Sequence, residues 1–272
     1  MAWTISVAIK TEQERAQTDL VVSQGTDSTI ESTAIRLLDA AKEKKLVWRV
    51  IGACAIKLRC PKFEFLYDRM DRRITDIDLV TYSRYVGQTR SLLSEFGYFP
   101  DDKVNAFQPT RHLYYSKNLM VDVFIDRLEM CHNVDFRGRL ELDNQTVPLA
   151  DLMLCKLQNV HLNEKDVKDC IVLLREHEVS GGHADTIDPK HIARVLSQDW
   201  GFYHTFTENL IRIRDSLPMY DALGEADRRV IVAGLDKLSE SIEGEPKSAK
   251  WRMRARVGTK KKWYTDVENL RM

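Results

Sequence analysis

The sequence contains no run of 18 or more apolar residues, the length that an α-helix needs to cross a bilayer. Its first thirty residues also lack the apolar stretch of a secretory signal. Internal repeats and low-complexity tracts are absent as well, which argues against a solenoid. We therefore expect a globular protein in the cytoplasm that has no membrane partner.

A CxxC motif is also missing, and the five cysteines are odd in number. This usage fits a reducing compartment and argues against a zinc knuckle. The adjacent Cys131 and His132 leave a metal site open, although scattered buried thiols are the favoured interpretation.

The chain as a whole has no net charge, since 41 Lys and Arg residues balance 41 Asp and Glu residues. No global field therefore favours a polyanionic partner. The charge is unevenly distributed, because the segment 247–262 holds eight basic residues and no acidic one. Removing those eight leaves 33 basic against 41 acidic residues, a net charge of −8. The sequence thus predicts an acidic body with a basic arm.

Hydrophobic periodicity divides the chain into an α/β half and a helical half. The first half predicts a helix at 29–44, a buried strand at 46–51 that ends in Gly52 with a helix directly after it, a strand at 74–82, a helix at 83–96, a hairpin of 111–116 with 119–125, and a strand pair within 134–142. After Pro148 the predicted helices are 149–162, 164–176, 188–199, 202–216 and 225–242. We expect an α/β fold with an N-terminal extension at 1–27, an α/β domain at 28–148, a helical domain at 149–244 and a basic arm at 245–272.

Asp76 and Asp78 are spaced i, i+2 on a predicted strand. Both carboxylates then project to one face, roughly 6–7 Å apart along the strand. That spacing lets them reach one metal ion or a close pair of ions. An ordinary surface acidic pair is the alternative for so short a motif.

Asp122 lies inside the apolar strand pattern 121–125, where an unpaired charge is unfavourable. Cations held between Asp122 and the Asp76/Asp78 pair on an adjacent strand would compensate it, and such an oxygen-rich site suits magnesium or manganese. The alternative is that Asp122 pairs with an arginine such as Arg111 or Arg73.

Several runs in a fixed order carry a family resemblance. The runs are 50–59 around Gly52 and Ala53, 73–79 with Arg73-Ile74-Thr75-Asp76-Ile77-Asp78, 120–124 with Asp122, 149–157 with Lys156, and 165–169 with Asp166 and Asp169. Together they resemble the DNA polymerase β-type nucleotidyltransferase superfamily, and most closely its AbiEii-like branch. Two features depart from the family pattern: position 53 is Ala where the family has Gly or Ser, and 60–71 is an insertion.

The resemblance implies a nucleotidyltransferase-like mixed sheet and a two-metal reaction. NMP would pass from an NTP, such as ATP, to an acceptor hydroxyl on tRNA or other RNA, on a protein or on a small molecule, with release of pyrophosphate. Catalysis and binding of Mg²⁺ or Mn²⁺ would fall to Asp76, Asp78 and Asp122, and nucleotide binding to Gly52, Ala53, Arg73, Lys156, Asp166 and Asp169. Without the resemblance, Lys156 reads as a solvated helix lysine, and Asp166 and Asp169 as solvated or capping residues. A catalytically weak relative is the alternative, acting as a binding or toxin–antitoxin module with a cognate antitoxin protein as its partner.

The arm alternates apolar and basic side chains, so in an extended conformation it presents one apolar and one cationic face. Interleaved arginines and aromatic residues suit phosphate contacts combined with base stacking. The residues predicted to contact nucleic acid are Trp251, Arg252, Arg254, Arg256, Lys260, Lys261, Lys262 and Trp263. The alternative is an edge strand that docks on the body by its apolar face while its basic residues discourage aggregation.

Overall fold

The computed structural model of the protein describes residues 27–117 and 119–266. The predicted N-terminal extension at 1–27 therefore lies outside the described residues, apart from Asp27, which begins the first helix. Every helix among the described residues is too short or too polar to traverse a bilayer.

The described residues form one mixed sheet. Five strands lie side by side in the order β1-β2-β5-β4-β3, and β6 and β7 extend from β5 as a small antiparallel ribbon. The strands are β1 Trp48–Ile51, β2 Ile77–Thr81, β3 Phe99–Pro100, β4 Arg111–Tyr115, β5 Met120–Ile125, β6 Arg127–Glu129 and β7 Asn133–Asp135. Strands β2 and β5 run parallel, whereas β1 with β2 and β4 with β5 are antiparallel. The mixed α/β class predicted from the sequence is confirmed.

Helices surround the sheet and make up most of the chain after Pro148. They are α1 Asp27–Glu43, α2 Gly52–Arg59, α3 Phe65–Arg69, α4 Val86–Glu95, α5 Asp102–Phe107, α6 Leu149–Leu157, α7 Glu164–Glu176, α8 Pro189–Leu196, α9 Trp200–Ser216, α10 Glu225–Gly244 and α11 Ala249–Val257. The start of α8 shows why the pattern folds this way: Asp188 caps the backbone N–H groups of Lys190 and His191 while Pro189 occupies the first turn.

One cluster of buried apolar side chains runs through both halves, from Ile30 in α1 to Ile242 in α10. Helix α2 lies at the junction, because it contacts β1 as well as α6 and α7. The α/β half and the helical half therefore share a core, and the division at residue 148 stays a prediction.

The strand pair predicted within 134–142 is wrong. Strand β7 pairs with β6 on its N-terminal side, with Leu128 opposite Val134. On its C-terminal side, Gly138 adopts a φ of +71° and the chain turns into a 3₁₀ segment at Leu140–Leu142, whose Leu140 is buried. The sequence signal of Arg137 and Gly138 therefore marks a turn between a strand and a helical turn.

For residues 249–257 of the basic arm the predicted extended conformation is also wrong, as is its edge-strand alternative, because these residues form the helix α11. Ser248 begins it, accepting at Oγ a hydrogen bond of 3.1 Å from the backbone N–H of Trp251. Gly258 follows its last residue with a φ of +58°. These end signals, with helix-favouring Ala, Lys, Arg and Met between them, outweigh the alternation of apolar and basic residues.

Candidate active-site cleft

A cleft of about 750 Å³ lies between one face of the sheet and the first helices of the helical half. Its floor consists of alternate strand residues, because side chains at i and i+2 share a face. The floor residues are Asp78 of β2, Met120, Asp122 and Phe124 of β5, and Arg111, Leu113 and Tyr115 of β4. The opposite wall comprises Cys155, Lys156, Gln158, Asn159, His161, Asn163 and Asp166.

The three carboxylates predicted as a cluster all line this cleft. Asp78 and Asp122 are register partners on the parallel strands β2 and β5, which places their backbones about 4.8 Å apart. Asp76 precedes β2 by one residue and accepts a hydrogen bond of 3.3 Å from the Thr75 hydroxyl. The strand spacing alone therefore brings two of the predicted catalytic carboxylates side by side.

Asp78 carries the least compensated charge of this group. Burial raises the pKa of its carboxyl well above the usual range, and the nearby Asp76 and Asp122 raise it further. Lys156 and Arg111 act in the opposite direction without cancelling these effects. An ionised Asp78 is thus unfavourable in this cleft as long as no further cation lies beside it.

Gly52 makes room for the Asp78 carboxylate at the start of α2. A Cβ atom at this position would lie 2.1 Å from Asp78 Oδ2, and the φ of +70° disfavours any residue with a side chain. The residue that follows β1 is therefore glycine for two reasons, the positive φ and the close approach of Asp78. Ala53, the next residue, has a buried side chain that does not line the cleft.

Arg111 donates hydrogen bonds to both oxygens of the Asp122 carboxylate. Its Nε donates to Oδ1 at 3.1 Å and to Oδ2 at 2.8 Å, and its Nη2 donates to Oδ2 at 2.5 Å. Burial raises the pKa of Asp122, and the Arg111 bonds lower it without cancelling that effect. The sequence alternative in which Asp122 pairs with Arg111 is therefore present in the structure, and the three carboxylates line the same cleft.

Lys156 reaches the cleft from α6 and is held by two carboxylates of α7. Its Nζ lies 2.7 Å from Asp169 Oδ2 and 3.1 Å from Asp166 Oδ1. Burial lowers the pKa of Lys156, but the two carboxylates outweigh it and leave the pKa above the usual value. Lys156 is therefore a fixed cation at the wall of the cleft, and a solvated helix lysine is not what the structure shows.

Asp169 is fully buried behind the cleft wall. It accepts hydrogen bonds of 2.9 Å at each oxygen from Nε and Nη2 of Arg72, in addition to its contact with Lys156. Burial raises the pKa of Asp169, but Lys156 and Arg72 outweigh that effect and lower it. Asp169 thus positions Lys156 and does not itself line the cleft.

Arg73, predicted to bind nucleotide, is exposed and lies outside the cleft, where its nearest carboxylates are Asp68 and Asp71 at 3.6 and 3.7 Å. Its neighbour Arg72 is the buried arginine. Sequence reasoning missed Arg72 because adjacent arginines in a loop give no signal for which one turns inward. It named Arg111 as an alternative partner of Asp122, which the structure shows, but not as a residue of the nucleotide site.

A divalent metal ion is implied by the family resemblance, and the donor chemistry fits one. Asp76, Asp78 and Asp122 supply the hard oxygen ligands that Mg²⁺ and Mn²⁺ prefer, and a cation there would offset the charge that raises the Asp78 pKa. Among the described residues, however, no three His, Cys, Asp or Glu side chains are arranged as a ligand group. Arg111 instead contacts both oxygens of Asp122.

The aromatic residues of the arm serve to dock it on α9. Trp251 packs edge-on against Tyr203 at 5.1 Å between ring centroids, and Trp263 donates from Nε1 to Thr205 Oγ1 at 3.1 Å. Base stacking by these two tryptophans, predicted from the sequence, would require the arm to leave this position. The segment after α11 contacts the edge of the cleft at Tyr264, whose ring meets that of His161 edge-on at 6.3 Å.

Comparisons with protein-family models, curated proteins and solved structures find nothing that matches this chain.

Proposed function

We propose that this protein is a metal-dependent nucleotidyltransferase that transfers NMP from an NTP to an acceptor hydroxyl. The observation that carries the proposal is the placement of Asp78 and Asp122 side by side on parallel strands, with Asp76 and Lys156 facing the same cleft. The order of the motifs in the sequence supports the same assignment.

Each of these cleft residues would have its own role in the reaction. Lys156, fixed by Asp166 and Asp169, would hold the triphosphate. The divalent ion would be held by Asp76, Asp78 and Asp122. When bound, that ion neutralises charge on the phosphates and on the leaving pyrophosphate. The acceptor oxygen attacks the α-phosphorus, the bond to the β-phosphate breaks, and Asp122 accepts the hydroxyl proton. Catalysis would then consist mainly of positioning and charge stabilisation.

RNA is the acceptor that the arm favours. The outward side chains of the arm include exposed cations without an ion-pair partner among the described residues, namely Lys250, Arg252, Arg256, Lys260 and Lys261. Arg254 and Lys262 are engaged, the first with the Gly258 carbonyl at 2.7 Å and the second with Asp266. Because Tyr264 of the arm contacts His161 in the cleft wall, a phosphate backbone on α11 would lead toward the cleft.

Transfer is tested by incubating the protein with each α-labelled NTP, Mg²⁺ or Mn²⁺, and total RNA or cell lysate. We expect one acceptor to become labelled, and we expect the double substitution Asp76→Ala with Asp78→Ala to abolish labelling. Asp39→Ala, which removes an exposed carboxylate of α1, is the matched control and should leave labelling intact.

A binding or interaction module is the second candidate, and the Arg111 contact favours it, because a resting site with Asp122 fully paired needs no metal. Retained NTP binding without labelling of any acceptor would support this second candidate.

A further inference from the structure

Arg111 makes contacts that conflict with the proposed reaction. It bonds to both oxygens of Asp122 and neutralises the carboxylate, so it competes with a metal ion or a proton for these oxygens. Yet its side chain is 23% exposed and lines the cleft, whereas that of Asp122 is 4% exposed. The guanidinium therefore has open space on the side where a triphosphate would lie.

The position of Arg111 follows from the hairpin register. Arg111 of β4 stands opposite Phe124 of β5, and Asp122 is its diagonal neighbour on the same face of the sheet. The guanidinium carbon also lies 5.6 Å from the centre of the Phe124 ring. Because the Arg111 backbone is paired in the sheet, release of Asp122 would take place by rotation about the Arg111 side-chain bonds.

We propose that Arg111 is a counter-ion switch: it neutralises Asp122 in the empty cleft and transfers to the phosphates when a nucleotide and its divalent ion bind. Asp122 is then released as a metal ligand at the moment when the triphosphate provides the guanidinium with a new anionic partner. This inference rests on the proposed function and adds to it that metal and nucleotide bind synergistically through one named residue.

The test measures Mn²⁺ affinity by the electron paramagnetic resonance signal of free Mn²⁺, with and without a non-hydrolysable α,β-methylene NTP analogue. Arg111→Gln should bind Mn²⁺ alone at least tenfold more tightly than the unmodified protein, because the competing cation is gone. The increase in Mn²⁺ affinity on adding the analogue should be at least tenfold smaller in Arg111→Gln. Arg111→Lys keeps the positive charge without the bidentate contact. Its Mn²⁺ affinity should lie between those of the unmodified protein and Arg111→Gln. Arg127→Gln is the matched control, since Arg127 lies on the adjoining β6 and pairs with Glu129 outside the cleft.

The outcomes of this test distinguish failure of the Arg111 switch from failure of the proposed function. Unchanged or weaker Mn²⁺ binding by folded Arg111→Gln overturns the switch while leaving the proposed function standing. Failure of every protein to bind Mn²⁺, even with the analogue, overturns the proposed function together with the switch. If Arg111→Gln unfolds without metal, Mn²⁺ must restore its melting temperature by more than it raises that of the unmodified protein, and no such recovery overturns the switch.

Discussion

Asp78 combines burial with two like charges nearby, and its pKa is raised well above the usual 3.8 in consequence. A carboxyl whose pKa is higher in the folded than in the unfolded state stabilises the fold when protonated. That stabilisation is complete below pH 3.8 and is lost as the pH rises through the folded-state pKa.

We therefore predict that Asp78→Asn stabilises the metal-free protein at pH 7 by about 1–4 kcal/mol, since it removes a buried charge without removing the side chain. Its stability should also fall less steeply between pH 4 and 7 than that of the unmodified protein. Urea denaturation at several pH values measures both quantities. Asp39→Asn, at an exposed site, is the control and should leave the pH slope unchanged. A destabilised Asp78→Asn would show instead that the carboxylate serves as a structural ion-pair partner.

Gly52 offers a second test at single-residue resolution. Ala at this position meets both a positive φ and the Asp78 carboxylate at 2.1 Å, so we expect a loss of more than about 2 kcal/mol. Gly138→Ala is a matched control, because Gly138 has nearly the same φ, +71°, but no atom lies within 4 Å of the place where its Cβ would be. Thermal unfolding should show a clearly larger loss for Gly52→Ala, and equal losses would mean that the Asp78 contact is unimportant.

The sequence predicted the site residues whose positions follow from strand geometry and missed those that depend on long-range packing. Asp78 and Asp122 meet because two β-strands bring them into register, which the alternation of apolar residues already indicated. Arg72, in contrast, reaches Asp169 across 97 positions of sequence, and no local pattern separates it from the exposed Arg73. Tertiary packing determines which of these two arginines is buried.

Among the helices, α6 and α7 are joined to the loop before β2 by one buried network. Asp169 of α7 bonds to Arg72 of that loop and to Lys156 of α6. A buried carboxylate that compensates two cations is costly to neutralise, because both cations remain buried afterwards.

We predict that Asp169→Asn destabilises the protein by about 3–5 kcal/mol, measured by urea denaturation. Because the pKa of Asp169 is lowered, its stabilising contribution is present above pH 3.8 and is lost as the pH falls through the folded-state value. Asp166→Asn is the control: Asp166 also contacts Lys156 but is partly exposed, so its loss should cost less. Equal effects at the two positions would contradict the role given to Asp169.

The arm shows why one element was mispredicted. Alternating apolar and basic residues are typical of an extended strand, yet the same residues fit a helix between the caps Ser248 and Gly258. In the helical conformation the segment docks on α9, because Trp251 packs against Tyr203 and Arg254 lies over the Trp200 ring at 4.8 Å. The capping residues therefore indicated a helix, whereas the alternation of apolar and basic residues indicated a strand.

For the molecule as a whole, the uneven charge predicted from the sequence persists on the surface as the cationic face of α11. Replacing Arg252, Arg256, Lys260 and Lys261 by Gln should weaken RNA binding and reduce the log–log salt slope by about 0.7 for each phosphate that the arm no longer neutralises. Binding of metal and NTP should survive, since its proposed residues lie elsewhere. Fluorescence anisotropy with labelled RNA at several salt concentrations provides the measurement. Lys42→Gln with Lys45→Gln, which removes exposed cations at the end of α1, is the control, and an unchanged slope in the α11 variant would refute the RNA contact.

The most direct test of the cleft as a metal and nucleotide site is thermal unfolding with a divalent ion, an NTP, or both. Ligand that binds only the folded state at a hundredfold excess over its Kd stabilises it by about 2.7 kcal/mol, or roughly 5–10 °C for a chain of this size. We predict that Mg²⁺ or Mn²⁺ together with one of the four NTPs raises the melting temperature by more than the sum of their separate effects. The double substitution Asp76→Ala with Asp78→Ala should abolish this joint shift. No joint shift with any NTP at millimolar concentration, or the same shift in the double variant, would contradict the assignment of the cleft.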